Sequence, residues 1–169
     1  LITLEQELIS EQREQLRSDV TQQVERIDSL RHSMGKRLEQ QLRTKVAEVQ
    51  ITAVNIYNSL QDKLSPEEVG ETIREALRPV RFYEKGGYFF ILSEDGDAIL
   101  YPANSSIEGK NFLTDETGTN PEVARKLIAL ARQNQKGFFR YDWTKPEDLS
   151  EKLYAKVSYV SYFEPLRWV

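Results

Sequence analysis

The sequence has no cysteine and a single histidine, His32, among its 169 residues. The first absence excludes disulfides and thiolate metal sites and leaves the redox compartment open. One histidine in a polar stretch supplies neither a metal cluster nor a catalytic pair, and it reads as a solvated side chain. No phosphate-binding glycine loop and no serine-centred glycine elbow occurs. The carboxylates Asp95 and Asp97 stand close together, but a turn explains them. With no such motif the chain is not read as an enzyme, and no cofactor is expected. Excess positive charge is missing too: the net charge is −4 and the isoelectric point is near 5.2. A nucleic-acid module carries a basic face or stripe, so no nucleic-acid partner is expected. No apolar run approaches the ~18 residues that cross a bilayer.

Proline is absent between Leu4 and Leu64, the only glycine there is Gly35, and no aromatic residue precedes Tyr57. Apolar residues recur instead at Leu8, Leu16, Val20, Val24, Ile27, Leu30, Met34, Leu38, Leu42, Val46, Val49, Ala53, Ile56 and Leu60. The steps are mostly three and four, which draws one thin apolar stripe along a helix. At 1.5 Å per residue that helix spans roughly 90 Å, longer than a small domain is wide. A thin stripe needs a partner. The stretch Val46 to Leu60 is apolar enough to lie on a sheet. The more polar first half is expected to pair with a second copy of itself, although its steps drift toward fours and depart from a strict heptad.

The aromatics gather after Arg81, which places the globular core there. Ser65-Pro66-Glu67-Glu68 is a helix start, with a capping serine, a first-turn proline and a glutamate that completes a capping box. That helix is expected to end near Leu77, before Pro79. Gly87 to Leu92 reads as a buried strand, Glu94 to Asp97 as a turn, and Ala98 to Tyr101 as the returning strand of a hairpin. Asn104 to Gly118 reads as a loop. Pro121 to Asn134 reads as an amphipathic helix with Val123, Leu127, Ile128 and Ala131 on its apolar face. Gly137 to Trp143 and Leu153 to Phe163 are strands, joined by a turn-rich connection from Thr144 to Glu151. Trp168-Val169 begins a fifth strand. The order makes an α+β unit with a PAS-like antiparallel sheet, divided into a long helix over 1–64 and a sheet module over 65–169. The first residues read as a helix already under way and the last as a strand just begun, as expected for a segment of a longer protein.

Four pieces between Arg81 and Val169 resemble, in order, the single Cache sensor family of bacterial receptors. Arg81-Phe82 followed by Gly87-Tyr88-Phe89-Phe90 is similar to its arginine-aromatic pair and first strand. Asp95-Gly96 through Leu100-Tyr101-Pro102 is similar to its hairpin, which more often ends in His-Pro. Ile107-Glu108-Gly109-Lys110-Asn111, with Asp115 and Gly118, resembles its connecting loop. Gly137-Phe138 through Tyr141-Asp142-Trp143-Thr144-Lys145-Pro146, then Lys156 to Val160, Phe163-Glu164-Pro165 and Trp168-Val169, resemble its last strands. The resemblance implies a domain outside the cytoplasmic membrane, between two transmembrane helices. It implies a small organic acid as ligand, and a chemotaxis transducer, histidine kinase or cyclic-dinucleotide enzyme as output. Tyr101 in place of the histidine keeps a hydrogen-bond donor but removes a group that titrates near neutral pH.

A pocket for a short carboxylate needs donors converging in an apolar cup. Arg81, beside Phe82, is the first candidate, because a guanidinium matches two carboxylate oxygens. Lys156 is the second. By strand alternation it shares a face with Tyr154, Ser158, Val160 and Tyr162, while Leu153, Ala155, Val157 and Tyr159 are expected to pack on the long helix. Tyr88, Phe90, Tyr101, Tyr141 and Trp143 are the candidate aromatic lining. Each has a plain alternative. Arg81 can be a surface charge, Lys156 an edge-strand guard, and the aromatics simple core. At the level of function the alternative is a ligand-free dimerisation or spacer module.

Overall fold

The computed structural model describes residues 3–83, 86–114, 120–144 and 152–169. Asp115, Gly118, Lys145, Pro146 and the connection over 145–151 lie outside the described residues. The chain divides into two units, Leu1–Gln41 and Leu42–Val169. The first is helix throughout its described length beyond Thr3. Its apolar residues Leu16, Val20, Val24, Ile27, Leu30 and Met34 are all exposed. No helix among the described residues is long and apolar enough to cross a membrane.

Helix α1 runs over Leu4–Leu60, four residues short of the expected end at Leu64. Its last part belongs to the core of the second unit, where Ala53 is buried and Val49, Ile56, Tyr57 and Leu60 pack beside it. Helix α2 spans Pro66–Leu77 and opens with the expected capping box. The Ser65 Oγ accepts from the Glu68 amide at 3.3 Å, and Glu68 Oε2 accepts from the Ser65 amide at 2.9 Å. Two otherwise orphaned donors are satisfied in this way.

The strand expected over Gly87 to Leu92 is broken in two. β1 (Arg81–Phe82) pairs antiparallel with β2 (Gly87–Tyr88), and β3 (Ile91–Leu92) pairs with β4 (Ala98–Leu100). The cause is local. The Phe82 ring lies so close over Gly87 that a Cβ there would sit 2.2 Å from it. Glycine thus lets β1 fold onto β2 and take Gly87-Tyr88 out of the β3 ladder. The turn between β3 and β4 is the expected one. Gly96 adopts φ +96°, and a Cβ there would meet Leu113 at 2.5 Å, so this position requires glycine.

Asn104 begins a 3-10 turn, Ser105–Ile107, inside the expected loop. Helix α3 covers Pro121–Asn134 and is capped by the Asn120 side chain. β5 (Lys136–Thr144) and β6 (Leu153–Ser161) form a nine-residue antiparallel ladder. Past β6, Phe163 pairs with Trp168 across the turn Glu164–Leu166, and Trp168 pairs with Ser93 on its other side. Val169 and Leu92 exchange both backbone hydrogen bonds, at 2.8 and 3.0 Å. The last residues therefore supply the fifth strand as a bridge between the two hairpins. β1–β2, β3–β4 and β5–β6 are two-stranded antiparallel sheets, the last two linked through the C-terminal bridges, in the expected α+β, PAS-like arrangement. Glu94 fastens this join by accepting from Tyr162 Oη and Arg167 Nε, each at 2.6 Å.

The sheet has a core on each face. Ile91, Leu100 and Phe163 pack with Val69, Ile73 and Leu77 of α2 and with Ala53 of α1. Leu92, Ala98 and Val160 point the other way, toward Ala124, Leu127, Ile128 and Ala131 of α3. One expectation needs correction. Of the β6 face assigned to the long helix, Leu153 and Ala155 are exposed. From α1, Arg43 sets its guanidinium over the tilted rings of Phe138 and Tyr159 at 4.9 and 5.8 Å, a contact of a cation with two rings.

Candidate functional site

Lys156 stands in the middle of β6, opposite Tyr141, and alternation sends its side chain to the α3 face with Ser158 and Val160. Its ammonium lies among four rings, 4.8 Å from the centroid of Tyr88, 5.4 Å from Phe90, 5.7 Å from Tyr141 and 5.6 Å from Trp143. Lys156 Nζ donates to Tyr88 Oη at 3.0 Å. Among the described residues no carboxylate pairs with it. Burial pushes its pKa down to about 8, because low-dielectric surroundings disfavour the charged form.

The hydroxyls around it form a cluster with surplus donors. Tyr88 Oη donates to Tyr101 Oη at 3.4 Å, and Trp143 Nε1 donates to the same oxygen at 3.2 Å. Tyr141 Oη and Ser158 Oγ are bonded at 2.8 Å. Burial raises the pKa of Tyr88, of Tyr101 and of Tyr141, the last to about 12, so all three remain protonated donors at neutral pH. The ammonium brings three N–H groups and the indole, each phenol and Ser158 one apiece, while only the phenol and Ser158 oxygens accept.

These groups open on a cavity lined by Phe90, Leu92, Tyr101, Phe112, Tyr141, Trp143, Lys156 and three residues of α3. It offers about 10 Å³ to the centre of a water molecule, roughly the room for one water. Tyr101, at the end of β4, is held from behind. Its amide donates to Glu108 Oε1 at 2.8 Å, and Arg78 grips that carboxylate at both oxygens, at 2.8 and 2.9 Å. The Arg78 guanidinium holds the Glu108 carboxyl below the usual carboxylate range.

The structure thus brings together Tyr88, Phe90, Tyr101, Tyr141, Trp143 and Lys156. Arg81 and Phe82 stand apart from the cavity lining. Arg81 is exposed, and its guanidinium donates to the carbonyls of Arg78 and Val80 at 2.7 and 2.9 Å. Phe82 packs on Phe89, with ring centroids 5.2 Å apart. Sequence reasoning missed Leu92, Phe112 and the α3 wall. The signal for α3 was its apolar face, which gave no sign of what it faced.

Known proteins share the sequence family and the fold. The Cache domain family matches residues 2–169, and so takes in the long helix as well as the sheet module. The sensor histidine kinase MctS of Rhizobium johnstonii is 31% identical over 132 residues, which are 76% of this chain and 28% of that protein. The methyl-accepting chemotaxis protein McpP of Pseudomonas putida is 31% identical over 106 residues, 63% of this chain and 19% of that protein. The chain therefore spans under a third of either relative. A Cache chemosensory domain solved to explain carboxylic acid recognition superposes with a TM-score of 0.63 at 25% identity, covering 79% of this chain and 92% of that one. A methyl-accepting chemotaxis protein from Vibrio parahaemolyticus gives 0.62 at 25% identity, covering 82% and 88%. The chain belongs to the Cache domain family, whose members are sensory, ligand-binding domains of chemoreceptors and sensor kinases rather than catalytic ones.

Proposed function

We propose that this domain senses a short monocarboxylate outside the cytoplasmic membrane, on a receptor whose flanking helices cross the bilayer. One observation carries the reading: Lys156 is held among four rings and surplus donors, with no anion paired to it among the described residues. A buried charge without a counter-charge is costly, and a ligand carboxylate supplies that counter-charge. Tyr101 and Trp143 stand ready as further donors, and Tyr88, Phe90 and Tyr141 form the cup. Arg81 and Phe82 brace the β1–β2 hairpin behind Tyr88, and we assign them no ligand contact. The kinship with a carboxylic acid-recognising Cache domain supports the choice of ligand class. Chemotaxis or kinase output, as in the relatives, is the matching downstream function.

A thermal-shift screen of short organic acids tests the reading. A ligand at a hundredfold excess over its dissociation constant adds about 2.7 kcal/mol of stability. The expected result is stabilisation by monocarboxylates in wild type and in Arg81→Ala, and none in Lys156→Met. No stabilisation by any acid in wild type refutes it.

The alternative, a dimerisation or spacer module, has its own observation in the exposed apolar stripe from Leu16 to Met34. A homodimer through α1 covers that stripe and is compatible with ligand sensing. Sedimentation of the chain with and without residues 1–41 tests the pairing, and the acid screen tests the sensing. Dimer loss on truncation supports pairing through α1, and a monomer in both cases opposes strong self-association of the isolated domain.

A further inference from the structure

The proposed acid site takes all its polar atoms from the sheet and only part of its apolar wall, beside Phe90, Leu92 and Phe112, from helix α3. Its donors all come from the sheet: Lys156 Nζ from β6, Trp143 Nε1 and Tyr141 Oη from β5, and Tyr101 Oη at the end of β4. Helix α3 contributes only Val123, Ala124 and Leu127 to the lining, and none has a side-chain hydrogen-bonding atom. Spaced i, i+1 and i+4, they occupy one face of the helix. Ala124 and Leu127 are each 2% exposed, and Ala124 is the one small side chain in the whole lining. The helix is firmly seated. Asn120 caps it, Pro121 occupies its first turn, and Ile128 and Ala131 are buried one turn further on.

A bound carboxylate finds its hydrogen bonds on the sheet, and the attached carbon chain meets the apolar lining, in which α3 supplies the small residue Ala124 beside Leu127. We infer that Ala124 and Leu127 set the length of the acyl chain that the acid site accepts. This rests on the acid-binding reading and adds which residues grade the acids. The warrant is packing. A closed apolar wall at interior density has no slack, and one methylene more or fewer in such a pocket changes affinity about tenfold or more. Ala124→Val adds two carbons to the wall, and Leu127→Val removes one. The two variants therefore push the preferred chain length in opposite directions, which a general loss of structure cannot do.

The test is titration calorimetry of the full chain with formate, acetate, propionate, butyrate and valerate, on wild type, Ala124→Val, Leu127→Val and Lys156→Met. Each protein is first checked for a cooperative melt. The expected result is that Ala124→Val lowers affinity for the longer acids at least tenfold relative to the shortest one bound. Leu127→Val shifts the optimum toward a longer acid. If Ala124→Val fails to fold, the milder Leu127→Val decides alone. Acids bound by wild type and lost in Lys156→Met, with ratios among them unchanged within twofold in the α3 variants, overturn the chain-length inference and leave the acid site standing. No acid bound by wild type overturns both.

Discussion

Replacing Lys156 by methionine is expected to make the domain more stable and unable to bind. Burial takes the lysine from its ordinary 10.5 to about 8, which corresponds to about 3 kcal/mol for holding the charge at pH 7. Methionine keeps the length and fills the same aromatic cup without a charge. It forfeits the 3.0 Å hydrogen bond to Tyr88 Oη and the attraction of the four rings for the ammonium, together a loss of about 2 kcal/mol. The balance is a gain of about 1 kcal/mol, or a melting temperature higher by about 3 °C for a domain of this size. The assay is thermal denaturation of both proteins at pH 7 without ligand, followed by the same scan with a saturating acid. Above pH 8 the wild type closes the gap. The folded state binds fewer protons than the unfolded one between about pH 8 and 10.5, so wild-type stability rises with pH there. The methionine variant has no such rise. A variant that melts lower than wild type at pH 7 shows that the buried charge carries no cost, and one stabilised by the acid as wild type is shows that Lys156 does not anchor it.

The same titration governs binding. The free site loses its ammonium as pH passes 8, so affinity for a carboxylate is expected to be about tenfold weaker at pH 9 than at pH 7; calorimetry at both values checks it, and a flat profile contradicts it. Glu108→Gln leaves an acceptor for the Tyr101 amide but removes the charge that Arg78 grips. Stability is expected to fall by about 2 kcal/mol, as read by urea denaturation. Because Arg78 lowers the Glu108 pKa, this contribution is present above a glutamate's ordinary pKa. It is lost as pH falls through the lowered value, so wild type and variant converge in acid. Ser65→Ala breaks the capping box of α2 and is expected to cost about 1 kcal/mol without changing acid affinity.

Much of this fold was legible because local chemistry and tertiary outcome agree. The capping box at Ser65, the glycine turn at Gly96 and the proline at the head of α3 each fix a boundary by a rule that acts within four residues. The side of β6 that carries Lys156 followed from alternation alone. What was not legible depends on contacts distant in sequence. The run from Gly87 to Leu92 is apolar throughout, so nothing in it marks where pairing passes from β1 to β4. The Phe82 ring over Gly87 decides that. Arg81 is attractive as an anchor by residue type, yet its two-residue strand turns it toward the backbone of Arg78 and Val80. The α3 wall was visible as an amphipathic face, but periodicity names a buried side and not what it is buried against.

With Lys156 as the anion anchor, a crystal structure of the domain grown with a saturating short monocarboxylate is expected to place the carboxylate within hydrogen-bonding distance of Lys156 Nζ and Tyr101 Oη, with its carbon chain against Ala124 and Leu127. A carboxylate held by Arg81 instead, or a cavity still closed around Lys156 while the acid binds elsewhere, would contradict the anchor role of Lys156.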